Sequence, residues 1–201
     1  MNALLRNILL ILLLAFVACN KDEEEPEPPP PTNYQPVSKG SYWTYSGYNG
    51  GLSYNLEMNG KTDTMASSVW YGMDHTLLGE GWFRKEAGTY YNKYNMNGSD
   101  VEFPYLKDNQ SVGHSWETQL SLAGINTKLI YTIVERDTSK VVSGQLYKQV
   151  IVVRMDTDLD LGSGYGTIDY SGEYWYANNI GFIFSDVENE GMTYLEYFEI
   201  R

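Results

Sequence analysis

The chain has 201 residues and a formal net charge of −12, with 26 acidic against 14 basic side chains. That balance excludes nucleic-acid binding and argues against adsorption to an anionic membrane surface, since no basic stripe offsets the acid. A single cysteine has no disulfide partner, and two histidines leave little for metal or acid–base chemistry.

Residues 1–18 read as a signal segment. Arg6 is the only charge before an apolar run from Ile8 to Val17. About 10 residues is too short to cross a bilayer of ~30 Å as a helix. Ala18 supplies the small residue before Cys19, and Phe16 stands where leucine is usual three residues before a lipidated cysteine. The plainer alternative is a secretory signal with a chance cysteine. Lipidation of Cys19 removes the oddity of a lone thiol in an exported protein. Acyl chains such as palmitate then anchor the chain, each buried CH₂ contributing ~0.8 kcal/mol.

Lys21, Asp22, Glu23 and Glu24, continued by Glu25, follow directly. They resemble the export signal of surface-exposed lipoproteins in Bacteroidota-type bacteria, which implies an outer-membrane protein facing the cell exterior. A solvated acidic tether is the plainer reading of the same charges. Pro26-Glu27-Pro28-Pro29-Pro30-Pro31 holds five of the seven prolines and reads as a stiff polyproline II spacer. Residues 19–32 are therefore a tether, and residues 33–201 a single folded domain.

Without Arg6, Lys21, Asp22 to Glu25 and Glu27, the 14 basic and 26 acidic residues become 12 and 21, so the domain stays acidic. Its aromatic residues are mostly tyrosine, a strand former. Large rings alternate with smaller residues over Ser41–Tyr45. Lys128–Glu135 is β-rich, and Leu146–Met155 is the most hydrophobic strand, placed at the centre. Gly172–Ala177, Ile180–Val187 and Met192–Ile200 form a C-terminal meander. Turns are expected at Gly47–Gly51, Asn59-Gly60, Asn97-Gly98-Ser99, Gly162-Ser163-Gly164 and Glu190-Gly191. No long stretch shows capped 3.6 periodicity, although Thr62–Val69 is compatible with a short turn of helix. The expected fold is all-β: about ten antiparallel strands in one strongly curved sheet or incomplete barrel, with a two-sheet sandwich as the alternative.

Four segments occur in order: Lys39-Gly40-Ser41-Tyr42-Trp43-Thr44-Tyr45, Ser111-Val112-Gly113-His114-Ser115-Trp116, Ser143–Val150 and Tyr174–Ile183. Together they resemble a family of uncharacterised Bacteroidota outer-membrane lipoproteins with an early G-x-x-W-x-Y, a central V-G-x-x-W and a late Y-x-A-x-x-[VI]-G. Asn178-Asn179 departs from the lysine-glycine usual there. The resemblance implies a β-rich single domain of unassigned function. Some relatives of similar pattern look like half-barrel carriers that hold acyl chains, although the helices that plug such barrels are missing from this sequence. Trp43 and Trp116, each three residues after a glycine, are expected to cover the sheet ends as core residues. Gly181 in a strand suggests a bulge or close packing.

Little in the chain supports catalysis. His75 and His114 lie in no nucleophile or metal motif, and no serine stands in a G-x-S-x-G context. Glu80, Glu86, Glu102, Glu117 and Glu173 present no evident acid–base pair. No enzyme activity and no cofactor are expected. Asp156, Asp158 and Asp160 are a weak calcium candidate, because the glycine and glutamate of an EF-hand-type loop are replaced by Leu161 and Thr167. In a strand the same spacing simply places three acids on one solvent face. Asp63-Thr64-Met65 resembles a short O-glycosylation motif and marks an exposed segment.

The remaining lead is aromatic. Part of the set Tyr48, Tyr54, Trp70, Tyr71, Tyr90, Tyr91 and Tyr94 could supply flat rings for a glycan platform, or these are alternating core and half-exposed strand residues. The sequence thus points to a surface-anchored, non-enzymatic lipoprotein with a binding or interaction role, its partner a glycan or another outer-membrane protein. The alternative is a carrier that holds a lipid or other apolar ligand in a half-barrel cavity.

Overall fold

The computed structural model describes residues 32–96, 98–122, 125–160 and 167–201. Twelve strands follow in chain order: β1 (Tyr42–Tyr48), β2 (Tyr54–Met65), β3 (Ser68–His75), β4 (Gly79–Glu86), β5 (Thr89–Met96) and β6 (Ser99–Lys107), then β7 (Ser115–Leu122), β8 (Ile125–Val142), β9 (Gln145–Asp160), β10 (Thr167–Ala177), β11 (Gly181–Val187) and β12 (Gly191–Glu199). Every paired neighbour is antiparallel, and no helix forms among the described residues. All twelve belong to one sheet, in the order β6-β5-β4-β3-β2-β1-β12-β11-β10-β9-β8-β7. The sheet curls into a nearly closed barrel, as expected of the curved-sheet reading rather than the sandwich.

The order has a simple origin. Each half of the chain is a meander of hairpins, β1–β6 and β7–β12, and the two meanders join where β1 pairs with β12. The edge strands are therefore β6 and β7, consecutive in the chain, and no ladder joins them among the described residues. Pro104 sits in β6, where its missing N–H is tolerable because the strand is an edge. The indole of Trp116 in β7 donates across the gap to the Pro104 carbonyl at 2.9 Å.

Several expected features shift in detail. Thr62–Val69 forms the end of β2, a tight turn and the start of β3, not a helical turn. Asn59-Gly60 is not a hairpin turn either. Gly60 has positive φ inside β2, where the register slips between Met58 and Thr62, so the signal marks a bulge. Gly98 and Gly191 lie at hairpin turns with positive φ. Residues 162–164 lie outside the described residues. Leu146–Met155 falls within β9, which is third from the β7 edge and not central. Its hydrophobicity reflects four successive fully buried residues, Val150 to Val153.

Trp43 and Trp116 are both buried, and both enter their strands from a positive-φ glycine, Gly40 and Gly113. The Trp43 indole donates to the Ile180 carbonyl at 2.7 Å. Gly181 combines positive φ with close approach to Tyr34 and Gln35, beside a register shift at Trp175/Tyr176.

One end of the barrel is plugged by the segment before β1. Tyr34 is fully buried, and its backbone N–H donates to the Tyr90 hydroxyl at 3.0 Å. That hydroxyl donates to Asp108, which also accepts from Lys85 (2.7 Å) and the Thr32 hydroxyl (3.1 Å). Residues 32–201 form one compact unit with its own interior cluster, and so contain what independent folding requires.

Candidate functional site

Above the plug the barrel interior is not filled. A cavity of about 510 Å³ lies between the strands, the size range of sites for small organic ligands. Its position follows from strand alternation. On β5, Tyr94 and Met96 share a face with Asn92 and reach the cavity, while Tyr91 and Lys93 fall on the opposite face. On β10, Tyr174 and Tyr176 point inward and Trp175 does not. Tyr45, Tyr54, Tyr105, Tyr131 and Tyr170 complete a set of eight lining tyrosines. Phe83, Phe103 and Phe182 add three further rings, and Leu56, Leu129, Val153 and Met155 supply aliphatic wall.

Apart from the tyrosine hydroxyls, polar groups in this wall are few. Gln35 reaches it from the plug, and Asn92, His75 and Thr127 from the strands. No Lys, Arg, Asp or Glu lines the cavity among the described residues. Burial pushes up the phenols of Tyr45, Tyr54, Tyr94, Tyr105, Tyr131, Tyr174 and Tyr176, so each stays neutral. Burial lowers His75 below the usual histidine range. Its Nδ1 accepts from the Leu77 and Leu78 N–H groups at 3.1 and 3.3 Å, which leaves the ring proton on Nε2. The imidazole stacks on Tyr54, with centroids 4.3 Å apart.

Two polar atoms of the wall residues are fully buried and without a protein partner: the Tyr105 hydroxyl and the Asn92 carboxamide oxygen. Tyr105 is 6% exposed. The two residues stand on neighbouring strands, β5 and β6. Such groups are uncommon in protein interiors, where nearly all polar atoms are paired.

The seven aromatic residues singled out in the sequence divide among three environments. Tyr54 and Tyr94 line the cavity. Tyr90 belongs to the plug network, and Tyr71 packs against the interior cluster. Trp70, only 2% exposed, and Tyr91 instead enclose Arg84, whose guanidinium lies 4.8 Å from one ring centroid and 4.0 Å from the other. Arg84 also pairs with Glu86 and Glu102. Tyr48 alone is exposed, at 58%, so the seven do not form one flat platform. Alternation within Tyr90-Tyr91-Asn92-Lys93-Tyr94 carries the signal that would have separated cavity residues from outer ones.

Asp156 is partly exposed and pairs with Arg154 at 2.9 Å, and Asp158 is exposed. Thr157 between them is buried, and Met155 before them lines the cavity. The Asp160 side chain lies outside the described residues, as do Cys19, Lys21, Asp22, Glu23 and Glu24. Among the described residues no group of three metal-ligating side chains converges.

No family model and no curated protein matches the sequence. Two solved structures match the fold. One is a candidate lipoprotein from Parabacteroides distasonis, with a TM-score of 0.57 and 13% identity over 84% of this chain and 99% of that one. The other is a candidate exported protein with a YmcC-like fold from Bacteroides fragilis, with a TM-score of 0.58 and 14% identity over 84% of this chain and 100% of that one. The chain shares their fold. At such low identity the likeness establishes architecture and nothing about ligands.

Proposed function

We propose that this chain is a non-enzymatic, lipid-anchored protein of the outer membrane, facing the cell exterior, whose barrel takes up an apolar small molecule. The observation that carries this reading is the ring-lined cavity of about 510 Å³. A protein interior ordinarily packs to crystal-like density, and unfilled space forfeits contacts. Retaining that space beneath an ordered wall is what a ligand site requires. Among the described residues the wall holds no carboxylate and no cluster of metal-ligating side chains, which favours binding over catalysis. Likeness of fold to a candidate lipoprotein and a candidate exported protein supports the envelope location that the Cys19 region suggests.

Thermal unfolding of residues 32–201 against fatty acids, polycyclic compounds and polysaccharides tests the reading. A ligand at 100 times its Kd adds about 2.7 kcal/mol, or several degrees. The expected result is a shift with apolar molecules that Leu129→Trp, which fills part of the cavity, abolishes. A shift with a polysaccharide that survives Leu129→Trp would overturn the cavity reading in favour of surface glycan recognition. No shift with any class would overturn it in favour of a protein partner.

A further inference from the structure

The geometry points to an uncharged occupant that carries a hydrogen-bond acceptor, such as a carbonyl oxygen, held by the Nε2–H of His75. This inference rests on the cavity reading above and specifies the chemistry of the occupant.

The imidazole belongs to the cavity wall, and the strands and rings around it hold it there. Its cross-strand partner on β2 is Leu56, another lining residue. Its ring stacks on Tyr54, with centroids 4.3 Å apart, and stands at right angles to Tyr94 at 6.1 Å. Both tyrosines line the same space. The turn between β3 and β4 fixes the remaining freedom, because the Leu77 and Leu78 N–H groups donate to Nδ1 at 3.1 and 3.3 Å.

Those two bonds also decide which nitrogen donates. A neutral imidazole whose Nδ1 accepts carries its proton on Nε2. The two nitrogens flank Cε1 and point in diverging directions, so Nε2–H is directed away from the turn. It has no partner among the described residues. The His114 Nε2 and the Tyr105 hydroxyl are also unpaired but fully enclosed, whereas the His75 Nε2 is unpaired without being enclosed. An occupant made only of hydrocarbon would cut this N–H off from water and leave it unsatisfied. A carbonyl, ester or ether oxygen would pair with it.

A carboxylate is an acceptor too, but it brings a charge. No lysine or arginine lines the cavity among the described residues, and positions 97, 123–124 and 161–166 contain none. His75 cannot supply the missing cation. Protonation would turn Nδ1 into a donor facing two other donors, and burial opposes it as well. An ionised group would thus lose its hydration and find no counter-charge.

The test uses residues 32–201 and three probes built on one tricyclic skeleton: fluorene, 9-fluorenone and 9-fluorenecarboxylate. Calorimetry reads affinity, and NMR reads the imidazole N–H signals, of which only two histidines are the source. The His75 Nε2–H signal should move with 9-fluorenone and stay in place with fluorene. His75→Asn keeps an acceptor for the turn and removes the Nε2 donor. It should lower the preference for 9-fluorenone over fluorene about tenfold, the scale of one buried hydrogen bond. Trp175→Phe, outside the cavity, is the control and should leave that preference intact. An unchanged preference in His75→Asn, or an Nε2–H signal in the unaltered protein that ignores 9-fluorenone, overturns the His75 contact while leaving the apolar cavity standing. 9-Fluorenecarboxylate binding as tightly as 9-fluorenone overturns the uncharged occupant. Failure of all three probes overturns the cavity reading and this inference with it.

Discussion

His75 shows how a single side chain couples the cavity to solution conditions. Its Nδ1 accepts two backbone N–H groups, its ring stacks on Tyr54, and burial lowers its pKa. The folded state therefore holds the ring neutral, whereas the unfolded chain takes up a proton near the ordinary value of about 6.5. The contribution is full above that value and is lost as pH falls through it towards the folded pKa. Melting temperature should decline from about pH 6.5 downward, and His75→Asn, which keeps an acceptor near the Nδ1 position, should flatten that decline. A decline of the same size in His75→Asn would assign it to other groups. Asp100 belongs to a different window: hydrogen bonds from Lys93 and Asn95 hold its carboxyl below the usual range, so its protonation comes at lower pH.

At the scale of strands, the joint between β6 and β7 rests on few contacts. The Trp116 indole donates to Pro104, Lys107 lies 5.4 Å from the indole centroid, and the ring stacks on Tyr131 at 5.3 Å and 12°. Trp116→Phe keeps a ring on Tyr131 and removes the donor. It should cost about 1 kcal/mol in urea unfolding and speed amide exchange along β6; unchanged exchange there would mean that other contacts hold the joint. Trp116 was legible as a core residue, because a glycine three positions earlier sets up its approach. Its role across the gap was not, since sequence cannot show which strands end up as edges. Alternation likewise marked the strands well but left their inner and outer faces unassigned. A one-residue offset exchanges the faces, and bulges such as those at Thr44/Tyr45 and Tyr90/Tyr91 introduce such offsets. Tyr90, Tyr91 and Tyr94 therefore looked like one aromatic group, although they serve the plug, the outer face and the cavity. Nothing local in the sequence sets Tyr105 and Tyr176 apart from the other tyrosines as cavity residues.

For the molecule as a whole, a lipid anchor at Cys19 and a ligand site in the barrel are proposed as separate parts of the chain. Cys19→Ala should move the protein from the membrane fraction to the soluble one while leaving the thermal unfolding of the barrel unchanged. Retention on membranes after that change would refute a lipid anchor at this cysteine. The strand order adds a mechanical property. In a fully hydrogen-bonded barrel the girth is set by strand number and stagger, and widening it means tearing a ladder along its length. Here the circuit is interrupted once, between two strands tied by a single indole–carbonyl bond among the described residues. The wall behaves as a split ring. Widening such a ring would load that one joint first and leave its other joints hydrogen-bonded, so a change of girth would need no ladder torn along its length.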